Sequence, residues 1–499
     1  MITQQEEKKL ETEPQNEPIP IEGFDGLVLH PSLDLQQDVL SLGFRVRGKD
    51  RKIQNVIVVV HAGRIEIARE DTIEIAEKNI SFDLKGRFLQ HIEERWSLAR
   101  LNKIITDYRS GKSLSSRPSE VLSNIISKLK HFIQLESELD YVLIAAWSIG
   151  TYFYPAFSAY PFLNPHAPKK SGKSQLLNVL QQICFNARKA RPTPAALGDI
   201  VDSLRGTYLI DQAELLWRKG NEDLCDLLTD SYKRNGGKRL IIMYDKDKQR
   251  SPKEFDTYCP KAIASTGDIP PDLRDRLLPI RLLRSDRNFP DPDEAGDWGV
   301  IRDHLYSMLI LEFVNLRTIY EVLKMQYRHS HEIIGRQLEL WLPIEAVLTL
   351  TGTEKSLVLG VRAHFLQLYS TNEDEPSDLE SAVMRFLLES FPNGHDAHQM
   401  SPKEIATAID QDVFPSRIET DRQRATNVGR VLHKYNLFTD EMRIGNGKVY
   451  KFVKEHVGRV CRQYLGEGEH TEHTSTASDP FADGIKSMQD AGLIPPESV

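Results

Sequence analysis

The chain is 499 residues long, with 40% apolar and 27% charged residues, which calls for more than one folding unit and excludes a peptide or a small disulfide-stapled module. Its 64 Lys and Arg against 72 Asp and Glu give a net charge of -8, so any nucleic-acid surface must be local. Cys184, Cys225, Cys259 and Cys461 are widely separated, which speaks against a disulfide framework or a cysteine-rich zinc site and predicts a reducing, cytoplasmic setting.

In chain order, residues 1–20 are polar, lack the apolar segment of a signal peptide and are expected to be a disordered tail. Residues 21–82 hold β-branched runs such as Val56 to Val60 and Arg64 to Ile67, interrupted by Gly63, and predict a small strand-rich module. No chemistry is readable in it, and an unidentified protein partner is its expected role. From 83 to 150 apolar residues recur at helical spacing, as in Val121, Ile125, Ile126 and Leu129, predicting a helical bridge. The most apolar stretch, Tyr141 to Phe157, is interrupted by Ser148, Gly150, Thr151 and Pro155 and falls short of the ~20 residues a membrane span needs. A core helix is expected there, and no membrane. Residues 151–290 alternate short apolar runs with helical stretches, the pattern of βαβ units around a parallel sheet. Helices return over 291–385, through Trp298 to Met325 and Ile334 to Leu350, and the acidic TNEDEPSD reads as a linker or exposed loop. A compact basic module fills 396–466, while 467–499 is small, polar and expected to be disordered.

The strongest chemical signal is Ala167-Pro168-Lys169-Lys170-Ser171-Gly172-Lys173-Ser174, preceded by a strand-like Phe157 to Leu163 and followed by the helix-spaced Leu176, Leu177, Val179, Leu180 and Ile183. A phosphate cradle needs backbone N–H groups at a helix N-terminus, a lysine for the β/γ-phosphates and a hydroxyl for Mg²⁺. Gly172, Lys173 and Ser174 supply these, with Ala167 where the GxxxxGK[ST] pattern has its first glycine. The competing reading is a lysine-rich surface turn. A second strand, Thr207 to Ile210, ends in Asp211, where a carboxylate orders metal and water, and Gln212 and Glu214 follow. An amide holds a water but takes no proton from it. Glu214 is therefore an alternative base, or else a helix-start carboxylate favoured by the dipole.

These motifs resemble the AAA+-like ATPase domain of helicase-like proteins of phages, plasmids and integrated mobile elements. The likeness runs from Tyr154 to Gly466, through the loop and the blocks LIDQAELLWRKGNEDLCDLLTDSYKRNGG, CPKAIASTGDIPPDLRDRLLPIRLLR and GRQLELWLPIEAVLTLTG. It implies an α/β fold: a P-loop NTPase parallel-sheet core with a helical lid, an N-terminal strand-rich and helical region, and a C-terminal winged helix. It implies ATP and Mg²⁺ as cofactors, with residues 167–174 around the phosphates, Lys173 as the phosphate lysine, and Ser174 and Asp211 at the metal. Thr266, closing the strand Lys261 to Ser265, is implied as a polar sensor of the γ-phosphate. Arg276 matches the arginine projected into a neighbouring subunit's site, and Arg336 a second sensor from the lid, so a homo-oligomer, such as a ring, is implied. From the residues alone, Arg276 also reads as an ion-pair residue beside Asp268, Asp272 and Asp275, and Arg336 as a structural arginine between helices. Gln212 in place of the family's Glu, together with Ala167, predicts ATP binding with slow hydrolysis.

In the last module, Ser401 caps a helix containing Ile405, Ala408 and Ile409, with Glu404 at capping-box spacing. From Arg422 to Tyr435, Val428, Val431, Leu432 and Tyr435 share one helical face, and Gln423, Asn427, Arg430 and Lys434 the opposite one. Met442 to Lys451 reads as two strands about Gly445-Asn446-Gly447, flanked by Arg443 and Lys448. Helix, helix and basic hairpin predict a winged helix-turn-helix that binds DNA through those polar and basic residues. A protein-interaction module with solvated basic groups is the alternative. The function expected is an ATP-dependent, DNA-associated helicase-like motor, or a replication or maintenance factor of a mobile element. The alternative is an ATP-binding switch or DNA-binding regulator with slow or absent hydrolysis.

Overall fold

Seven strands occupy the first module: β1 (Leu27–Leu29), β2 (Leu33–Gln36), β3 (Val39–Arg47), β4 (Ile53–His61), β5 (Arg64–Ala68), β6 (Thr72–Ile75) and β7 (Lys78–Phe82). Strands β2 to β5 pair antiparallel in sequence order, and β1, β7 and β6 form a second sheet in which β1 and β7 run parallel. The run Val56 to Val60 is continuously apolar because β4 is covered on both faces. Ile57 and Val59 pack with Leu29, Ile80 and Phe82 of the second sheet, while Val58 and Val60 join the main core. The computed structural model describes residues 25–84, 87–167, 171–189, 194–213, 222–244, 250–265, 269–282, 285, 287–295, 297–328, 332–370, 378–391, 396–414, 420–444 and 447–465. Both expected tails lie outside these residues.

Helices α1 (Ile92–Arg95), α2 (Leu98–Arg109), α3 (Pro118–Phe132) and α4 (Glu138–Gly150) follow. Ser97 caps α2, and Ser137 with Asp140 closes a capping box on α4. From Leu139 to Gly150 every residue of α4 is buried, so the most apolar stretch of the chain is a core helix. No helix among the described residues is long and apolar enough to cross a membrane.

The central sheet is built from β8 (Phe162–His166), β9 (Arg188–Lys189), β10 (Tyr208–Ile210), β13 (Lys261–Ile263) and β14 (Leu277–Arg281), in the order β14-β8-β13-β10-β9. All its pairs are parallel, giving a mixed α/β architecture. The connecting helices are α5 (Lys173–Ile183), α6 (Pro194–Leu204), α7 (Glu222–Asp230) and α8 (Pro271–Arg274), and an antiparallel pair, β11 (Lys238–Tyr244) and β12 (Arg250–Asp256), is inserted before β13. The chain leaves β8 toward one edge of the sheet and returns to its other side as β14, so strand order reverses at β8. Open α/β sheets gather ligands at the carboxyl ends of their strands at such a point. The strand expected over Phe157 to Leu163 begins later and runs past Pro165. A proline reads as a stop, yet the Pro165 carbonyl accepts from the Ser265 N–H at 3.2 Å.

Beyond the sheet lie α9 (Pro292–Ala295), α10 (Trp298–Tyr327), α11 (Gly335–Leu350) and α12 (Lys355–Ser370). The expected bridge and lid are one helical layer: α3 and α4 pack on α10 and α11, and α4 also meets α12, in a core shared with the parallel sheet. A helix apolar all around, as α4 is, needs cover on every side. Helix α13 (Asp378–Glu389) falls across the boundary expected at residue 385. Its Leu379, Val383, Met384 and Leu387 belong instead to a separate C-terminal core with Ile405, Val428, Leu432 and Phe452. That unit also contains β15 (Ala397–Met400), α14 (Pro402–Ala408), α15 (Asp421–Lys434), β16 (Asp440–Ile444), β17 (Gly447–Val453) and α16 (Lys454–Leu465), with sheet order β15-β17-β16. Ser401 with Glu404, and Thr420 with Gln423, close capping boxes on α14 and α15.

Candidate functional site

Strand β8 delivers the chain to Ala167 at the carboxyl end of the sheet, and α5 begins at Lys173. Gly172 caps α5 with φ 83, a left-handed conformation that a side chain would strain. Ala167 is buried and is not among the positive-φ residues, so its Cβ introduces no backbone strain where the pattern has glycine. Its carbonyl accepts from Lys173 Nζ. Ser171 is buried beside them, while Pro168, Lys169 and Lys170 lie outside the described residues.

The first turn of α5 meets the end of β10 through Ser174 Oγ, which donates to Asp211 Oδ2 at 3.0 Å. The same carboxylate oxygen lies 3.3 Å from Lys189 Nζ, and Lys189 also donates to Asn178 Oδ1 at 3.1 Å. Sequence reading missed Lys189, because a two-residue strand leaves no periodicity and Arg188-Lys189 resembles any basic surface pair. Gln212 is exposed with φ 57, turning the chain at the strand end before the Ala213 N–H donates to the Ala264 carbonyl at 3.0 Å. Glu214 and Thr266 lie outside the described residues. Ser265, next to Thr266, is buried, with its Oγ 3.3 Å from His166 Nδ1 and 3.2 Å from Asn164 Nδ2.

Arg276 and Arg336 sit elsewhere. Arg276 directly precedes β14, whose Leu277 pairs with Phe162 at the start of β8 and whose Arg281 pairs with His166 at its end. Arg276 is therefore a strand length, roughly 16 Å, from the loop after β8, further than its side chain reaches. It binds Asp275 Oδ1 at 2.6 Å, and its Cζ lies 5.2 Å from the Tyr232 ring centroid. Arg336 binds the other oxygen of Asp275, and its Cζ is likewise 5.2 Å from Tyr232. Arg336 is held away from its own chain's loop: the first turn of α11 lies at the amino end of the sheet, where Glu339 pairs with Lys233 at 2.6 Å.

In the C-terminal unit, Val428, Val431, Leu432 and Tyr435 are buried, while Gln423, Arg430 and Lys434 are exposed and Asn427 is half-buried. Several of the expected DNA-binding side chains already have partners. Gln423 caps its own helix, Asn427 Nδ2 donates to the Gln423 carbonyl at 2.9 Å, Lys434 pairs with Glu380 at 2.8 Å, and Lys448 pairs with Glu441 at 2.6 Å. Arg430 and Arg443 carry no ion pair with any described residue.

No group of three or more His, Cys, Asp or Glu side chains able to hold a metal occurs among the described residues. The adjoining Ser174 hydroxyl and Asp211 carboxylate nevertheless fit Mg²⁺, which takes one or two protein oxygens and completes its octahedron with water and phosphate. No family model matches the chain. No curated protein matches it in sequence. Among solved structures, the chain is similar to a full-length MCM homolog from Methanopyrus kandleri over 67% of this chain and 78% of that one, with 11% identity and a TM-score of 0.32.

Proposed function

We propose that the chain is an AAA+-like P-loop ATPase that acts on DNA, as a helicase-like motor or as a replication or maintenance factor of a mobile element. The observation that carries this reading is the Ser174–Asp211 hydrogen bond, which joins a glycine-capped helix start to a strand-end carboxylate where the strand order reverses. ATP with Mg²⁺ supplies the scissile phosphoanhydride and its metal when bound. Ser174 Oγ and Asp211 would hold that metal, and Lys173, resting on the Ala167 carbonyl, is the cation for the phosphates. Gln212 would orient a water at the strand end without deprotonating it. Arg276 and Arg336, facing away from their own loop, would stabilise phosphoryl charge in a neighbouring copy.

ATP turnover measured with and without single- and double-stranded DNA, for the wild type and Lys173→Ala, tests the reading. Turnover stimulated by DNA and abolished in the variant is expected; unchanged ATP affinity in Lys173→Ala would sink it. A second reading, a nucleotide-dependent switch or DNA-binding regulator, is favoured by Gln212 alone, and nucleotide binding without DNA-stimulated turnover would select it. The winged-helix reading of the C-terminal unit rests on the order α14, α15, then the β16–β17 hairpin.

A further inference from the structure

Arg45 in β3 and Arg188 in β9 are distant in sequence yet close on one ring. The Arg45 Cζ lies 4.5 Å, and the Arg188 Cζ 5.8 Å, from the ring centroid of Phe88 in the connection between β7 and α1. Phe88 itself is 43% exposed. Neither guanidinium has an ion pair or side-chain hydrogen bond to any described residue, and the Nε of each is buried without a partner. More positive charge surrounds them. Arg47 is exposed two residues further along β3, and burial lowers the pKa of Arg95 while the neighbouring Arg188 and Arg302 charges act in the same direction. Next to Arg188, Ile200 and Tyr208 line a shallow groove, where the Tyr208 hydroxyl is buried with no partner.

Folding alone does not favour this arrangement. Like charges repel, and unpartnered guanidinium donors forgo hydrogen bonds that water would supply. A structural arginine would be matched by a carboxylate, as Asp202 matches Arg87. An aromatic ring flanked by guanidiniums is suited to stack nucleobases while neutralising phosphates. We propose that Arg45, Phe88 and Arg188 form a platform for single-stranded nucleic acid, giving the N-terminal module a share in its recognition. The platform uses no residue of the nucleotide site or of α15, and it goes beyond the ATPase reading.

Anisotropy of a labelled oligo-dT titrated with the full chain tests it over a range of salt. Arg45→Ala combined with Arg188→Ala is expected to weaken binding about tenfold or more and to lower the log–log salt slope by about 1.4, roughly 0.7 for each single-strand phosphate left without its arginine. Phe88→Ala should weaken binding about 5- to 100-fold with the slope unchanged, and Phe88→Trp should retain binding with its emission quenched by the oligonucleotide. Arg45→Lys with Arg188→Lys keeps the charge and should keep the slope, which separates removal of the cations from a failure to fold. Unchanged affinity and slope in the double alanine variant, with Phe88→Trp emission indifferent to oligo-dT, would overturn the proposal. So would wild-type binding of poly-glutamate that falls equally in the arginine variants, which would make an acidic protein segment the occupant. Lys173→Ala tests the nucleotide site separately and has no bearing on this outcome.

Discussion

The amide of Gln212, directly after the strand-end Asp211, can hold a water but accepts no proton from it. Its left-handed backbone, φ 57, suits Gln and Glu alike, so Gln212→Glu introduces a carboxylate with little change of shape. General-base assistance is typically worth about 10²–10⁴-fold, and steady-state ATP turnover should rise in this variant by a factor within or below that range. If Gln212→Glu changes nothing while Glu214→Gln abolishes turnover, the base is Glu214. Gly172, Lys173, Ser174 and Asp211 stand out in the sequence because the proposed chemistry demands those residue types: a left-handed cap, a cation, a hydroxyl and a carboxylate after an apolar run; the structure adds the left-handed Gly172 and the Ser174–Asp211 hydrogen bond. Ala167 was legible as a departure but not as a harmless one, since its φ belongs to the path of the backbone. Lys189 was not legible at all, and Asp275 was legible as a neighbour of Arg276 but not as the partner of Arg336. Those roles come from pairing with Asp211 and with Arg336, partners far away in the chain that nothing local marks.

Helix α15 presents the face its periodicity predicted, but the partners of that face belong to other elements. Glu380 on α13 holds Lys434, whereas Arg430 has no ion pair with any described residue. A DNA phosphate must displace Glu380 to engage Lys434, but reaches Arg430 unopposed. Arg430→Ala should therefore lower the duplex-binding salt slope by about 0.9, Lys434→Ala by less, and Glu380→Gln should tighten binding. Equal slopes in all these variants would favour a protein-interaction unit. A second element-scale contact ties the N-terminal strands to α6: Ser32 Oγ donates to the Ser203 carbonyl at 2.7 Å, and Arg87 pairs with Asp202. His30 lies in this seam, its Nδ1 accepting from the Ser32 N–H at 3.1 Å. Burial holds the His30 pKa well below the ordinary histidine value, and the Arg205 and Arg87 charges push it the same way. Folded, His30 stays neutral, while the unfolded chain takes up a proton as pH falls below about 6.5. Stability is therefore complete above that pH and falls below it, by up to about 1.4 kcal/mol per unit, until His30 is protonated in the fold. Urea midpoints measured from pH 7.5 to 5.5 should decline less for His30→Gln than for the wild type; parallel declines would remove His30 as the cause. The helices α10 and α11 were legible from their long periodicity, but α13's allegiance and the strand order were not, because both are decided by residues far apart in the chain.

At the scale of the molecule, the parallel sheet separates the two groups of residues assigned to the proposed chemistry. The Ser174–Asp211 pair lies at its carboxyl end, and Arg276 and Arg336 lie at its amino end around Asp275 and Tyr232. No side-chain motion brings them together within one chain, so an arginine that acts on phosphate must do so in a neighbouring copy. In that cluster Arg276 and Arg336 share the one carboxylate of Asp275, an arrangement from which an incoming phosphate would draw either guanidinium. Each active site would then be shared: the loop from one subunit, the arginine from the next. Lys173→Ala and Arg276→Ala should each abolish turnover alone, for different reasons. Mixed, the two inactive variants should regain part of the wild-type rate, because an Arg276→Ala subunit keeps its loop and a Lys173→Ala neighbour keeps its arginine. The mixture should lose this activity on dilution below the subunit dissociation constant, with sedimentation velocity reporting the same transition. A mixture as inactive as its components, from a chain that turns over ATP as a monomer, would place the arginines in a structural role and return the reading to one subunit.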